Sequence, residues 1–194
     1  MGMGAGLEDK VNLGDVVVAT TVWDISSRRL EPDGPKKRPD PFKLGPVLSR
    51  HIEYFDPEQL RWKELLHSCM PRLAMYSEIP KVEPSWTPSF HSNNILSGPD
   101  LVADGSIKSL IYEYDEKARL YEMEASGFAS TCDELGVLWL VFKGISDFGD
   151  PNSKDTLNGD IKLRKIWQPL ASLSAATAAI KFLENNYLSR DKQF

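Results

Sequence analysis

The stretch that decides the fold is YEMEASGFASTCDELGVLWLVFKGISDFGD, residues 121–150. Two apolar segments in it predict neighbouring buried strands, the first ending near residue 123 and the second covering residues 137–142. An acid follows each strand, Glu124 after the first and Asp147 after the second. Ligands of open α/β sheets collect outside the carboxyl ends of strands. We therefore expect both carboxylates to point into one crevice at one edge of the sheet.

Around this stretch, strand and helix patterns alternate along the chain. Apolar and β-branched runs predict further strands at residues 13–23 and 94–98, and they place the first strand of the quoted stretch at residues 118–123. Caps and helical spacing predict helices at residues 56–71, 106–114 and 169–187, and one that ends at Gly136 with Phe128, Cys132 and Leu135 on its apolar face. This alternation predicts an α/β sandwich, and the length of 194 residues fits a single domain, residues 1–194.

Three segments are predicted to be irregular. Residues 1–7 form a glycine-rich turn whose N–H groups could approach a ligand, although the spacing alone favours a plain turn. Residues 25–46 carry five prolines together with Asp33 and Gly34, which is typical of a surface loop, and the basic run at residues 36–38 is interpreted as solvated. The polar residues 148–159 are in the position of a loop that could cover a site.

The composition excludes several classes of function. A net charge of -5 argues against binding to a nucleic acid polymer, and the apolar runs are too short to cross a membrane. Cys69 and Cys132 lie far apart, which fits a reducing cytoplasm. His51, His67 and His91 have no ligand spacing, so neither a metal site nor a cofactor is predicted.

Taken in order, several motifs resemble the nucleoside phosphorylase-I superfamily, which includes purine and uridine phosphorylases and methylthioadenosine/S-adenosylhomocysteine nucleosidases. The motifs are Gly4-Ala5-Gly6-Leu7 before residues 13–18, Ser97-Gly98 before Leu101-Val102, Glu122-Met123-Glu124-Ala125, and Lys143-Gly144-Ile145-Ser146-Asp147. The resemblance covers most of the chain. It implies a three-layer α/β/α sandwich with a mixed central sheet and an enzyme that cleaves the N-glycosidic bond of purine nucleosides or nucleotides.

The resemblance also implies roles for individual residues. Asp147 would protonate or hydrogen-bond the purine N7, and Glu124 would accept hydrogen bonds from the ribose hydroxyls. Met123 would lie against the ribose, and backbone groups around Leu101 and Val102 would contact the edge of the base.

Further substrate-binding residues implied by the family motifs are Glu122, Gly4, Ala5 and Lys143. Nucleosidases commonly have Arg where this chain has Lys143, and Lys lacks the planar fork of Arg. Because alternate residues of a strand share a face, Lys143 is expected on the face of Asp147, where it could orient or ionise that acid.

Family members begin with a strand, a phosphate- or water-binding loop and a further βα unit, whereas this chain begins at the glycine-rich segment. The resemblance therefore implies a domain truncated at its N-terminus, with a long exposed sheet edge. Either water or inorganic phosphate could be the acceptor, and self-association into a homo-oligomer is expected. A second hypothesis is a non-catalytic nucleoside-binding or regulatory module, which could belong to a larger multidomain protein.

Overall fold

The computed structural model describes residues 1–83, 85–150, 156–157 and 161–188. The strands in these residues are β1 (Gly2–Gly6), β2 (Val16–Asp24), β3 (Arg28–Glu31), β4 (Gly34–Lys37), β5 (Asp40–Lys43), β6 (Phe90–Ser97), β7 (Ala118–Glu122), β8 (Phe142–Asp147), β9 (Thr156–Leu157) and β10 (Ile161–Lys162). The helices are α1 (Pro46–Glu53), α2 (Trp62–Leu73), α3 (Ile107–Tyr114), α4 (Ala125–Glu134) and α5 (Leu163–Leu183), and a π-helical turn, Glu184–Leu188, follows α5.

The central sheet is mixed and has six strands in the order β5-β2-β6-β7-β1-β8. β2, β6 and β7 are parallel, β1 is antiparallel to β7, and β8 is parallel to β1. β8 also pairs with β2, so the sheet curls and closes on itself. Within the described residues, β1 pairs with β7 on one side and with β8 on the other, so the long exposed edge expected at the start of the sheet is absent there. The structure confirms the predicted α/β architecture with a mixed central sheet.

The core divides into two clusters. The larger includes the apolar side chains of β2 and of α1, α2 and α5, and the smaller includes those of α3 and β7. Residues 16–19, Val-Val-Val-Ala, are completely buried, as expected for a strand covered on both faces. None of the helices in the described part of the chain is long and apolar enough to cross a membrane.

The glycine-rich start of the chain is a strand, β1, and the predicted turn is wrong. The glycines are required by close approach. A Cβ on Gly4 would lie 2.7 Å from the carbonyl oxygen of Tyr121, and a Cβ on Gly144 of β8 would lie 2.0 Å from that of Ala171. Glycine in a strand interior marks such contacts with a neighbouring backbone.

The second strand of the deciding stretch is displaced from its predicted position. β8 begins at Phe142, whereas Val137 and Leu138, expected in a buried strand, are 54% and 63% exposed. The run before β8 is a connection that buries Trp139 and Val141. Residues 142–147 form the strand because β1 and β2 pair with them on either side, and this pairing outweighs local hydrophobicity.

The helix predicted from residue 56 begins later, at Trp62. The Asp56 carboxylate instead accepts hydrogen bonds from the N–H groups of Glu58 and Gln59 in a turn, and Arg61 has a left-handed φ of 57°. Pro71, predicted to stop the helix, lies within its last turn.

Two other predicted helices form, one with a different buried face and one with an earlier start. In α4 the buried residues are Ala125 and Ala129, whereas Phe128 and Leu135 are 50% and 71% exposed. The small residues face the core because α4 packs closely on the sheet. Pro169, predicted in the first turn of the last helix, lies inside α5, which begins at Leu163.

The predicted loop at residues 25–46 contains the β3–β4 hairpin and β5. The basic run begins within β4, where Lys36 forms an ion pair with Glu31, and Lys37 with Glu113. Most of the polar segment 148–159, expected to cover a site, lies outside the described residues.

Candidate active site

A cavity of about 110 Å³ collects almost all of the residues that the sequence singled out. Eight of the nine predicted site residues line it: Gly4, Ala5, Leu101, Val102, Glu122, Met123, Glu124 and Asp147. The ninth, Lys143, reaches the cavity through its contact with Glu124. The other lining residues are Met3, Tyr121, Ser146 and Gln168.

Strand β1 runs along this cavity and connects its two acids. Gly2 pairs with Lys143, whose ammonium contacts Glu124, and Ala5 pairs with Asp147. Three residues of a strand span roughly 10 Å, so Lys143 and Asp147 lie at opposite ends of the segment of β8 that pairs with β1.

The expected geometry of the acids was wrong in one respect. β7 and β8 are not neighbours, because β1 lies between them, and they run in opposite directions. Glu124 and Asp147 therefore follow the ends of antiparallel strands. They share a cavity because it extends along β1, and not because two parallel strands end at one edge.

The first end of the cavity is formed by the last residue of β8. The hydroxyl of Ser146 donates a hydrogen bond to Asp147 Oδ2 at 2.8 Å, and the N–H of Gly149 donates to Oδ1 at 3.0 Å. Gly149 has a φ of 62°, a conformation that favours glycine. Leu101 and Val102, which follow β6, line the same cavity, and the Leu101 side chain is 60% exposed.

The second end is formed where β7 meets α4. The buried Glu122 carboxylate accepts hydrogen bonds from the N–H groups of Glu124 (3.1 Å) and Ala125 (3.0 Å). These N–H groups at the start of α4 have no partner within the helix, so Glu122 supplies one. The side chain of Glu124 is 71% exposed. Lys143 Nζ lies 2.6 Å from Glu122 Oε2 and 2.8 Å from Glu124 Oε2.

These contacts shift two pKa values. Burial acts to raise the pKa of Glu124, but the hydrogen bond and charge of Lys143 outweigh it, so this pKa lies below its ordinary value. Burial acts to lower the pKa of Lys143, but Glu122 and Glu124 outweigh it, so this pKa lies above its ordinary value. Glu124 is therefore ionised and Lys143 charged at neutral pH.

Lys143 was expected to orient Asp147, and the structure corrects this. Its ion pairs are with Glu122 and Glu124, at the other end of the cavity. Although residues 143 and 147 both belong to β8, four residues of extended strand separate them by roughly 13 Å.

Sequence reasoning missed four residues of the cavity wall. Ser146 lies inside the motif of residues 143–147 and Tyr121 directly precedes the motif of residues 122–125, so their proximity to the motifs was the available signal. The hydroxyl of the buried Tyr121 donates to the carbonyl of Asp100 at 2.7 Å, which fixes the turn before Leu101. Burial raises the pKa of this hydroxyl. No sequence signal indicates Met3 or Gln168.

Elsewhere in the described residues, no group of three His, Cys, Asp or Glu side chains could hold a metal ion. A larger cavity of about 380 Å³ is lined by Asp9, Asp104, Lys108 and Asp150 among others, and Lys108 pairs with Asp9. It includes none of the predicted site residues.

Two of the curated proteins similar to this chain are described as ATP nucleosidases. An ATP nucleosidase, Cap17, of Escherichia coli is 28% identical over 192 residues, covering 97% of this chain and 36% of the relative. A death domain-containing ATP nucleosidase of Amphimedon queenslandica is 26% identical over 200 residues, covering 96% and 33%. The chain thus spans about a third of the length of these curated relatives.

Among solved structures, the 5'-methylthioadenosine/S-adenosylhomocysteine nucleosidase of Neisseria meningitidis, in complex with methylthio-immucillin-A, matches with a TM-score of 0.63. It is 17% identical, and the match covers 95% of this chain and 67% of that one. At this identity the likeness shows the shared fold. The model of the phosphorylase superfamily matches residues 1–181. The chain belongs to the phosphorylase superfamily.

Proposed function

We propose that this chain cleaves the N-glycosidic bond of a purine nucleoside or nucleotide. One observation carries the proposal: Glu124 and Asp147 line the two ends of a single cavity along β1. Membership of the phosphorylase superfamily supports it, as do relatives described as ATP nucleosidases. The reaction requires help at both ends of the bond, because the base leaves with negative charge while positive charge develops on the sugar.

Asp147 acts on the leaving base. Its carboxyl group, oriented by Ser146 and Gly149, protonates or hydrogen-bonds N7 of the purine. The proton or hydrogen bond at N7 offsets the negative charge that the base acquires as the bond breaks. General acid help of this kind contributes about 10²–10⁴ in rate, equivalent to roughly 3–5 kcal/mol of barrier.

Glu124 acts on the sugar. As an ionised carboxylate it accepts hydrogen bonds from the ribose hydroxyls, and its charge stabilises an oxocarbenium-like ribosyl group. Hydrogen bonds to a charged group contribute about 1.5–3 kcal/mol. Met123, 43% exposed beside Glu124, lies against the ribose.

Neutral groups position the substrate between the acids. Gly4 and Ala5 of β1 form the surface along which the nucleoside lies, and backbone groups of Leu101 and Val102 contact the edge of the base. The described cavity of about 110 Å³ is smaller than the roughly 300–1,000 Å³ of most ligand sites. A homo-oligomer in which a neighbour completes the pocket would account for this difference.

The test is release of free base by the full-length protein. Adenosine and ATP are incubated separately, with and without inorganic phosphate, and the products are separated by chromatography. We expect free adenine together with ribose or ribose 5-triphosphate if water is the acceptor, and a ribose 1-phosphate product if phosphate is. Calorimetric binding of adenosine without any release of adenine would instead establish the non-catalytic module. Neither binding nor release would contradict both functions.

A further inference from the structure

Lys143 occupies a position that the proposed chemistry does not use directly. It is 6% exposed, at the start of β8, and its ammonium lies between two carboxylates of the same short segment. One of these, Glu122, is buried, and the other, Glu124, is at the mouth of the cavity. A single cation is thus shared between an interior acid and the acid that faces the sugar.

Glu122 is held in place independently of any ligand. Two backbone N–H groups at the start of α4 donate to its carboxylate, and the positive end of the helix stabilises its charge. It therefore provides a fixed anchor for the ammonium of Lys143. The position of that ammonium in turn determines where Glu124, whose side chain is otherwise exposed, is held.

The surroundings of Lys143 leave little freedom to its side chain. Its stem lies beside Gly2 of β1, where an added Cβ would be 3.1 Å from Nζ. The titratable groups that line the cavity are Tyr121, Glu122, Glu124 and Asp147. Three are acids, so removal of the ammonium would leave Glu122 and Glu124 as neighbouring like charges.

The geometry points to Lys143 as a positioning residue for the reaction: anchored by Glu122, it holds the carboxylate of Glu124 ionised and oriented toward the ribose hydroxyls. The inference rests on the proposed function. It assigns Glu122 a supporting role in place of direct contact with substrate. The lowered pKa of Glu124 agrees with this arrangement, because burial alone would act in the opposite direction.

The test compares the full-length parent protein with Lys143→Met, Lys143→Arg and the double variant Lys143→Met/Glu122→Gln. The double variant removes both buried charges together, so it remains informative if the single Lys143→Met protein does not fold. Lys81→Met, at an exposed position, is the matched control. Purine release is measured between pH 4 and 8, and KM and kcat are determined separately at each pH.

We expect the acid limb of kcat/KM to move to higher pH in Lys143→Met and in the double variant, because Glu124 loses its cation. KM should rise roughly tenfold or more at neutral pH, with a smaller change in kcat. Lys143→Arg should restore both the acid limb and KM, and Lys81→Met should match the parent. An unmoved acid limb in folded variants would overturn the inference.

A second readout does not depend on turnover. The carboxyl carbon of Glu124, assigned in the ¹³C spectrum by its disappearance in Glu124→Gln, is titrated in the parent and in the double variant. We expect it to titrate at higher pH in the double variant, and an identical titration would refute the role of Lys143. Failure of the parent to release purine, with this shift present, would reject the proposed function while leaving the ion-pair arrangement intact.

Discussion

The two ends of the cavity hold their acids by different means. At one end, Asp147 receives hydrogen bonds from the hydroxyl of Ser146 and the N–H of Gly149, which are neutral donors. At the other, Glu124 is paired with the buried ammonium of Lys143. Two carboxyl groups in different surroundings can perform different tasks in one reaction. The contrast between these described contacts teaches that the cavity is asymmetric, and it supports our proposal of a base end at Asp147 and a sugar end at Glu124.

The largest expected effect comes from a change that disrupts both ends together. In Gly144→Ala the new Cβ would be 2.0 Å from the carbonyl oxygen of Ala171, so β8 and α5 must separate. Overpacking of this kind costs typically 1–3 kcal/mol, and more where backbone must move. We expect the free energy of unfolding, measured by urea denaturation, to fall by about 3 kcal/mol or more.

The matched control is Gly127→Ala in α4, where a Cβ meets no atom within 4 Å. Alanine is favoured over glycine inside a helix by roughly 0.5–1 kcal/mol, so this variant should be slightly more stable than the parent. Equal stability of the two alanine variants would show that the contact between β8 and α5 is looser than described.

The next effect isolates the base end. Asp147→Asn keeps one acceptor oxygen for the N–H of Gly149, and the hydroxyl of Ser146 can rotate to accept from the new amide, but the side chain cannot supply a proton to the base. We expect purine release to fall by about 10²–10⁴ while the thermal unfolding midpoint changes little. Asp33→Asn, on the exposed β3–β4 turn, is the control and should release purine at the parent rate. Undiminished release by Asp147→Asn, followed by ultraviolet absorbance, removes the catalytic assignment.

A smaller effect isolates the sugar end. Glu124→Gln removes the negative charge that we propose accepts hydrogen bonds from the ribose hydroxyls. The loss of a charge-assisted hydrogen bond of about 1.5–3 kcal/mol corresponds to roughly 10- to 100-fold in affinity. The measurement is calorimetric binding of a non-cleavable purine nucleoside analogue. Glu134→Gln, at the exposed end of the same helix, should bind as the parent does. Unaltered affinity in Glu124→Gln would exclude the ribose role.

The smallest effect concerns the wall at the base end. The proposed contacts of Leu101 are made by its backbone, and its side chain is 60% exposed. Leu101→Ala should therefore change kcat/KM for purine release less than about threefold, since exposed substitutions usually change free energies by under 0.5 kcal/mol. A tenfold loss would mean that the side chain itself packs on the base.

The sequence predicted which residues line the cavity better than it predicted the strands that form its walls. Ordered motifs brought eight site residues together, because each motif belongs to a strand end or a turn whose local chemistry is recognisable. The strand formed by residues 2–6 was missed because its glycines indicate a turn locally. The close approach of Lys143, Tyr121 and Val11 to these glycines explains them, and that approach is visible only in the folded structure. The position of β8 was missed because pairing with β1 and β2 decided it.

The role of Lys143 shows the same limit. Its distance from Asp147 follows from the strand geometry alone, but its pairing with Glu122 and Glu124 depends on β1 lying between β7 and β8. That strand order cannot be inferred from local patterns, because the chain crosses from β7 to β8 through α4 without pairing them.

The division of labour between the two acids is tested most directly by calorimetric titration of adenine into the parent protein, Asp147→Ala and Glu124→Gln. Adenine has N7 but no ribose, and it is not consumed. We predict that Asp147→Ala, which has no polar atom left to contact N7, weakens its binding roughly tenfold, as expected for one lost hydrogen bond, whereas Glu124→Gln binds it as the parent does. Equal weakening by both substitutions would contradict the assignment of a base end and a sugar end.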